Sequence, residues 1–211
     1  MPASNNLIAG YQRFREDYYI KNRDHLLKLA EEGQSPKVAI VSCCDSRVDP
    51  TVILDCEPGD LFVIRNVANL VPPCENNDSY HGTSAALEFA VTGLEVDTIV
   101  ILGHTQCGGI QALMDQPSAE QAPSFIAKWM QQADSVRNKI LNDKTLTTNQ
   151  ARCDACEQHS IFQSLENLMS FPWVEERVKN GTLHLHGWYY DLVSAKLFAA
   201  NSDKKVFQDI A

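Results

Sequence analysis

The stretch Val38-Ala39-Ile40-Val41-Ser42-Cys43 is an apolar run, rich in β-branched residues, that ends at a cysteine. A continuous run of this kind is typical of a strand that is covered on both faces, as strands of parallel sheets are. Leu61-Phe62-Val63-Ile64 and Thr98-Ile99-Val100-Ile101-Leu102 repeat the pattern further along the chain. Apolar residues at helical spacing predict a helix over residues 84–92, which stops at Gly93. This alternation of strands and helices indicates an α/β domain.

The second half of the chain continues the alternation. A loop and helices are predicted from residue 105 to about residue 170, with Pro172 as a breaker. Residues 182–191 alternate in character and are rich in aromatics, which predicts a fourth strand. We therefore expect a mainly parallel central sheet of about four strands, flanked by helices, to which residues 196–200 can add an antiparallel edge strand.

The N-terminal segment is predicted to be a helical arm. At 211 residues the chain is long enough for one well-packed domain, so residues 1–211 are expected to form a single domain. Residues 7–31 carry apolar and aromatic side chains at helical spacing, including Leu7, Tyr11 and Phe14, and predict one or two helices. A helix as short as the first is not stable alone, so the arm, residues 1–35, is expected to dock on another surface.

Charge and cysteine usage exclude several classes of protein. The formal net charge of −9 opposes binding to nucleic acid or to an anionic membrane surface. The sequence contains no apolar stretch near the roughly 20 residues that span a bilayer, and its first residues lack the basic and apolar regions of a secretory signal. Seven cysteines is an odd number, which argues against a disulfide framework. We therefore expect a cytoplasmic protein that binds neither nucleic acid nor membrane.

Two polar clusters, Cys43-Cys44-Asp45-Ser46-Arg47 and His104-Thr105-Gln106-Cys107, directly follow two of the predicted strands. Open parallel sheets bind ligands beyond the carboxyl ends of their strands, where the strand order reverses. Thiolate, imidazole and carboxylate are the groups that bind Zn²⁺ in a roughly tetrahedral shell. The clusters therefore predict a zinc site, and Gly108-Gly109 would let the backbone approach the metal closely.

The acidic residue of the first cluster favours a catalytic site over a structural one. A releasable carboxylate, or water in its place, is typical of catalytic zinc, whereas structural zinc has four fixed ligands. Arg47 stands two residues beyond Asp45 and is predicted to form a bidentate ion pair with it. Such a pair would hold Asp45 off the metal and keep it ionised.

Further motifs accompany the two clusters. They are Glu57-Pro58-Gly59-Asp60, Arg65-Asn66-Val67-Ala68-Asn69, Val71-Pro72-Pro73, Gly82-Thr83, Ala85-Ala86-Leu87-Glu88-Phe89-Ala90, Gly108-Gly109-Ile110 and His186-Gly187-Trp188-Tyr189-Tyr190-Asp191. Over about residues 35–195, in register, the chain resembles the β-class carbonic anhydrases, and the motifs are highly specific to that family.

The resemblance implies a zinc lyase that reversibly hydrates CO₂ to bicarbonate and a proton. It implies one Zn²⁺ per chain, with Cys43, His104 and Cys107 as the constant ligands. Asp45 would be either the fourth ligand, in a closed state, or, paired with Arg47, the acceptor for the proton of a zinc-bound hydroxide that attacks CO₂.

The resemblance also implies assembly. The smallest unit of the family is a homodimer, and dimers can pair into tetramers. The N-terminal helices of the family pack on the partner subunit, which would give the helix that carries residues 7–19 the surface it needs.

A second pocket binds bicarbonate in the closed members of the family. This chain has Arg65 and Tyr190 at two of its positions, but Ile40 and Ser42 where those members have tryptophan and glycine. We therefore expect the open, water-ligated form at neutral pH and no bicarbonate inhibition.

Several residues are weaker candidates for supporting roles. His81 is a candidate proton carrier by residue type only, and a solvated loop histidine is the commoner case. Val67, Phe89 or a residue of the partner subunit could supply an apolar wall for CO₂. Asn76 and Asn77 could hydrogen-bond the substrate, although both suit a surface turn better.

The second cysteine pair, Cys153-Asp154-Ala155-Cys156, is not expected to carry chemistry. A redox CxxC normally opens a helix after a strand, whereas this pair and His159 lie inside a predicted helix. A packing role is therefore the better interpretation of both cysteines.

Three alternative functions compete with CO₂ hydration. A hydrolase of CS₂ or a related heterocumulene could share the zinc shell and differ only in access to it. A non-catalytic zinc or thiol sensor is disfavoured because it needs no Asp45 held by Arg47. A nucleotide-binding domain lacks its Gly-rich phosphate loop after the first strand.

Overall fold

The computed structural model describes residues 3–75, 77, 80–115 and 124–210, which form two compact units that divide after Ser35. The first unit is helical. Its helices are α1 (Ala3–Arg13), α2 (Tyr19–Lys21) and α3 (Arg23–Glu32), and a π-helical turn at Phe14–Tyr18 joins α1 to α2. The prediction of helices over residues 7–31 is confirmed. Helix α3 ends at Gly33, whose φ of 85° is a conformation that glycine adopts without strain.

The second unit contains a six-stranded sheet among its described residues. The strands are β1 (Val38–Cys43), β2 (Leu61–Asn66), β3 (Thr98–His104), β4 (His184–Tyr190), β5 (Leu197–Asn201) and β6 (Val206–Asp209), in the order β2-β1-β3-β4-β5-β6. The first four strands are parallel, as predicted, and β5 and β6 are antiparallel. The antiparallel strand predicted at residues 196–200 is β5, and a second antiparallel strand, β6, which was not predicted, lies outside it. Strand β6 is short and partly exposed, so it carries no apolar run that sequence reasoning could recognise.

Helices and turns connect the strands of the second unit. The helices are α4 (Pro50–Ile53), α5 (Gly82–Glu88), α6 (Gly108–Met114), α7 (Phe125–Met130), α8 (Asp134–Asn142), α9 (Asn149–Leu168) and α10 (Pro172–Lys179). The helix predicted over residues 84–92 is α5 with the π-helical turn Phe89–Gly93 that continues it. Pro172, predicted as a helix breaker, is the first residue of α10. A proline is tolerated there because the N–H of the first helical residue has no partner within the helix. None of the helices in the described part of the chain combines the length and apolar character needed to cross a bilayer.

Both faces of the sheet are covered, as the continuous apolar runs predicted. In β1, Ala39 and Val41 pack in one apolar cluster with Ile161 of α9, whereas Ile40 packs in a different cluster with Val100 of β3. All three residues of β1 are 0% exposed. Because both faces of β1 are buried, an apolar residue is favoured at every position, and its sequence does not alternate between apolar and polar residues.

Two glycines of the sheet allow helix α9 to pack closely against it. A Cβ on Gly103 of β3 would lie 2.6 Å from Ile161 Cδ1, and one on Gly187 of β4 would lie 2.7 Å from Ile161 Cγ2. Neither distance allows a side chain, so the glycines set how near α9 can come. Gly103 directly precedes His104, and α9 therefore lies beside the predicted site.

Candidate metal centre

The three predicted metal ligands meet at the carboxyl end of the sheet. Strand β1 has β2 on one side and β3 on the other, so the strand order reverses between β1 and β3. Cys43 ends β1, His104 ends β3, and Cys107 is the residue before α6. All three side chains are buried, and their candidate ligand atoms lie within 4.8 Å of one another. The sequence prediction of this grouping is thus matched by the geometry.

His104 is oriented so that one ring nitrogen is free for a cation. Its Nδ1 lies 2.8 Å from the carbonyl oxygen of Thr105, which can only accept, so Nδ1 carries the hydrogen. Its Nε2 is buried and has no hydrogen-bond partner among the described residues. A buried nitrogen without a partner is costly unless a cation or another donor satisfies it, and this arrangement suits a metal ligand.

The two thiols of the cluster are coupled. A hydrogen bond from the Cys107 thiol, more than any other influence, lowers the pKa of Cys43 well below that of an ordinary thiol. The same hydrogen bond, together with burial, raises the pKa of Cys107. A bound cation would displace the thiol protons of this pair, because a metal binds thiolate rather than thiol.

Asp45 and Arg47 form the predicted bidentate ion pair. Arg47 Nε donates to Asp45 Oδ1 at 3.0 Å, and Arg47 Nη2 donates to Oδ2 at 2.7 Å. The backbone N–H of Arg47 also donates to Oδ1, at 2.9 Å. These hydrogen bonds hold the pKa of Asp45 well below its usual range, and the Asp45 side chain is 16% exposed against 50% for Arg47.

Arg47 also joins the two polar clusters. Its Nη2 donates to the carbonyl oxygen of Gln106 at 3.0 Å, so one guanidinium contacts the loop after β1 and the loop after β3. Gln106 has a φ of 57°, a left-handed conformation that turns its carbonyl in the short loop between His104 and Cys107. The ion pair therefore helps to hold the two loops that carry the cluster together.

Arg65 supports the first loop from below. Its Nε donates to Cys43 O at 2.9 Å, and its Nη2 donates to Asp45 O at 2.8 Å and to Val48 O at 2.7 Å. Its Nη1 lies 3.3 Å from Asp49 Oδ2. The guanidinium that the resemblance associates with a bicarbonate pocket is thus engaged with the backbone that carries Cys43 and Asp45.

Sequence reasoning missed two residues behind Cys107. Glu157 of α9 is 4% exposed, and its Oε1 accepts a hydrogen bond from Cys107 N at 2.8 Å. Its Oε2 accepts from the Tyr189 hydroxyl at 2.6 Å. Burial raises the pKa of Glu157 to about 7 and also raises the pKa of Tyr189. The available signal was an acidic residue among the inward-facing positions of a long helix.

The weaker candidates have mixed outcomes. Val67 packs against the apolar cluster that contains Cys43 and Cys107, so an apolar wall there remains a reasonable prediction. Phe89 does not belong to that cluster. Its exposed ring has its centroid 5.9 Å from that of Phe62, and a part of Phe89 in the apolar wall stays a prediction.

The two glycines after Cys107 have different surroundings. A Cβ on Gly109 would lie 2.7 Å from Val67 Cγ1 and 3.1 Å from Ala68 Cβ, whereas a Cβ on Gly108 would meet nothing within 4 Å. Gly109 therefore permits a close contact between α6 and Val67, and approach of this backbone to a metal stays a prediction.

The loop candidates lie on the surface. His81 Nε2 is 2.8 Å from Asn77 Oδ1, in an exposed hydrogen bond. Its role as a proton carrier stays a prediction, as does contact of Asn77 with a substrate. Asn76 lies outside the described residues.

Cys153 and Cys156 lie inside α9, as predicted, and are buried in the same apolar cluster as Cys43 and Cys107. Burial raises the pKa of Cys156 to about 12 and also raises that of Cys153. Both are therefore protonated at neutral pH and poorly suited to thiolate chemistry, which fits the packing role.

Comparison with known proteins agrees with this geometry. Residues 38–197 match the family model for carbonic anhydrase. The chain is 40% identical over 201 residues to β carbonic anhydrase 5, chloroplastic, of Arabidopsis thaliana, which covers 91% of this chain and 65% of the relative. The solved structure of the β-carbonic anhydrase CcaA has a TM-score of 0.91 at 32% identity and covers 99% of this chain and 92% of that one. A structure of tetrameric β-carbonic anhydrases from Sordaria macrospora has a TM-score of 0.72 at 28% identity, covering 99% and 94%.

The chain therefore belongs to the carbonic anhydrase family. Its relatives and its mainly parallel sheet place it in the β class of that family. The chain spans about two thirds of the length of the curated relatives it matches, at 65%, 67% and 69% of three of them.

Proposed function

We propose that this protein is a zinc-dependent carbonic anhydrase that catalyses the reversible hydration of CO₂ to bicarbonate and a proton. The observation that carries the proposal is the convergence of Cys43, His104 and Cys107 within 4.8 Å, beside the Asp45–Arg47 ion pair. Membership of the carbonic anhydrase family supports the reaction.

The donor set supports Zn²⁺ as the resident metal, with one ion per chain. Two cysteine sulfurs and one imidazole nitrogen form a set that zinc prefers, and three protein ligands leave a fourth position for water or substrate. The buried Nε2 of His104 gains a partner when a cation binds, and the thiols give up their protons to bind it. When bound, zinc lowers the pKa of a coordinated water to roughly 7 and so supplies a nucleophile at neutral pH.

Asp45 acts in this proposal as a hydrogen-bond acceptor that orients the nucleophile. A carboxylate can accept only while it is ionised, and the hydrogen bonds from Arg47 keep the pKa of Asp45 low. The same bonds fix the rotation of the carboxylate, since both oxygens are held. Arg47 thus keeps Asp45 ionised and holds its carboxylate in one orientation. This reduces the reorganisation of the site that is needed during the reaction.

Stopped-flow measurement of CO₂ hydration between pH 6 and pH 9, with zinc content determined on the same samples, tests the proposal. The expected result is a rate that scales with zinc occupancy and is lost after chelation. Full activity in metal-free protein would overturn it. A parallel assay with CS₂ separates the alternative hydrolase, and zinc binding without turnover of either substrate would favour the sensor.

We also propose that the protein forms homodimers, which can pair into tetramers. Helix α1 leaves apolar side chains exposed, with Leu7 at 75%, Ile8 at 57% and Tyr11 at 58%. Such a face is typical of one that another subunit covers. Sedimentation analysis of the protein and of Leu7→Asp and Tyr11→Asp variants tests this. A monomeric parent protein, or variants that assemble like the parent, would contradict it.

The cytoplasm remains our proposed compartment. All seven cysteines are free thiols, which suits a reducing environment. Fractionation of cells that express the tagged protein tests this, and recovery in an organelle or membrane fraction would contradict it.

A further inference from the structure

Glu157 is the only buried acidic residue in the part of the chain that the structure describes. Placing a carboxylate in an apolar interior is unfavourable unless hydrogen bonds compensate for the lost water. Here both oxygens have a donor, Cys107 N for Oε1 and the Tyr189 hydroxyl for Oε2. The proposed chemistry of the Asp45–Arg47 pair makes no use of this arrangement.

The fold brings Glu157 to Cys107 through close packing. Gly103 and Gly187 leave room for Ile161, and Glu157 lies one helical turn before Ile161 on the same face of α9. Tyr189 of β4 is the strand partner of Gly103. The helix, the tyrosine and the end of β3 therefore meet directly beneath the loop that joins His104 to Cys107.

Glu157 provides the hydrogen-bond acceptor for the buried backbone N–H of Cys107. Cys107 is the residue before α6, has an extended conformation with φ −70° and ψ 117°, and is buried. A buried backbone N–H without an acceptor is strongly disfavoured. Glu157 therefore determines where this backbone unit lies, and with it where Sγ of Cys107 lies.

We infer that Glu157, held by Tyr189, is a positioning residue for the metal centre, because it fixes the backbone of Cys107 and so the direction in which that thiolate points. The inference rests on the proposed zinc site. The hydrogen bonds of Glu157 are to Cys107 N and the Tyr189 hydroxyl, so it acts through Cys107. Groups that orient a metal ligand in this way typically contribute about 10-fold to 100-fold to metal affinity.

Three variants separate positioning of the ligand from general support of the fold. Glu157→Met keeps a long side chain and removes the acceptor, whereas Glu157→Gln keeps an acceptor for Cys107 and a polar partner for Tyr189. Ser164→Ala is the matched control, because Ser164 lies on the same helix, is buried, and accepts a hydrogen bond from the backbone of Val71 at 3.2 Å, away from the cluster.

The measurements are the zinc dissociation constant by competition with a chelator, the thiolate charge-transfer absorption of the Co²⁺-substituted protein, and urea unfolding of the metal-free protein. We expect Glu157→Met to weaken zinc binding about 10-fold to 100-fold and to shift the cobalt spectrum, and Glu157→Gln to stay within about threefold of the parent protein. We expect Ser164→Ala to lower stability towards urea without changing zinc affinity.

Zinc binding by Glu157→Met as tight as that of the parent would overturn the inference, as would an equal loss in Ser164→Ala. If Glu157→Met does not fold, Tyr189→Phe decides, since it removes only the hydroxyl that holds Oε2. Tyr189→Phe should weaken zinc binding by at least about threefold, and unchanged affinity would overturn the inference. A parent protein that binds no zinc would instead overturn the proposed function, so the two failures are distinguishable.

Discussion

Arg47 holds both carboxylate oxygens of Asp45, with Nε 3.0 Å from Oδ1 and Nη2 2.7 Å from Oδ2. A carboxylate held in this way cannot rotate without losing one of the two bonds. The ion pair thus keeps Asp45 ionised and fixes the direction of its carboxylate beside the Cys-His-Cys cluster.

Asp45→Asn should reduce CO₂ hydration by about 10²-fold to 10⁴-fold, the range typical of losing a positioned acid or base. The amide keeps the shape of the side chain but is a weaker acceptor. Zinc content should not change, because the three remaining ligands are intact. Stopped-flow rates and metal analysis check this, with Glu175→Gln as the control because it alters only an exposed pair with Lys179. Full activity in Asp45→Asn would exclude the proposed role.

Arg47→Lys should reduce the rate by about tenfold or more, because an ammonium cannot make two parallel bonds to a carboxylate. It also cannot reach Asp45 and the carbonyl oxygen of Gln106 with the same planar geometry. The turnover number is the quantity to measure, with zinc occupancy held constant. A lysine variant as fast as the parent would mean that charge alone is sufficient.

Gly109→Ala and Gly108→Ala should have opposite effects on stability. A methyl group on Gly109 meets Val67 Cγ1 at 2.7 Å, so we expect a loss of about 1–3 kcal/mol in the free energy of unfolding. The same group on Gly108 meets nothing within 4 Å and should stabilise by up to about 1 kcal/mol, since alanine favours a helix. Urea unfolding of both metal-free variants checks the pair, and equal effects would contradict the packing argument.

Stability should depend on pH through Asp191. Its Oδ1 accepts hydrogen bonds from Val193 N at 2.7 Å and Ser194 N at 3.0 Å, and these bonds lower its pKa. A lowered pKa in the folded state means that the stabilisation is complete above the unfolded pKa of about 3.9 and is lost as the pH falls through the folded pKa.

The comparison of metal-free parent and Asp191→Ala proteins by urea unfolding tests this dependence. Because the carboxylate is exposed, the difference should be no more than about 1 kcal/mol at pH 6, and it should shrink towards pH 3. Asp191→Asn retains a hydrogen-bond acceptor that does not titrate. The difference in free energy of unfolding between Asp191→Asn and Asp191→Ala should therefore not change with pH. If the difference in stability between the parent and Asp191→Ala grew on acidification, the prediction would be contradicted.

Bicarbonate should not inhibit the proposed CO₂ hydration cooperatively at neutral pH. Ile40 is 0% exposed and packs in an apolar cluster that includes Tyr190, and Arg65 already donates to three carbonyl oxygens. An anion would have to displace those bonds. Initial rates at increasing bicarbonate, with chloride at equal ionic strength as the control, check this. A sigmoidal fall in rate would indicate a closed state that bicarbonate stabilises.

Much of the fold could be predicted because it depends on local patterns. Continuous apolar runs identified β1, β2 and β3, since buried parallel strands need apolar residues at successive positions. Strand β6 was missed because it is short, partly exposed and paired only with β5. The contact between Phe89 and Phe62 was not predicted, because spacing along a helix does not say which neighbour a ring will meet.

The site divides in the same way. The two clusters were recognisable because each lies within five consecutive residues at the end of a strand. Glu157 lies 50 residues from Cys107 and 32 from Tyr189, so only the packing of α9 on Gly103 and Gly187 brings them together. Contacts of that kind follow from tertiary structure and have no signature in a single sequence.

The hydrogen bond from Arg47 to the carbonyl oxygen of Gln106 ties together two chain segments that are 59 residues apart. One segment carries Cys43 and the other carries His104 and Cys107. The hydrogen bond between the segments involves protein atoms alone. Small zinc-finger domains, by contrast, fold only around their ion. We therefore expect that a metal can be removed from this site and restored without unfolding the chain, so that metal supply and protein synthesis can be controlled separately.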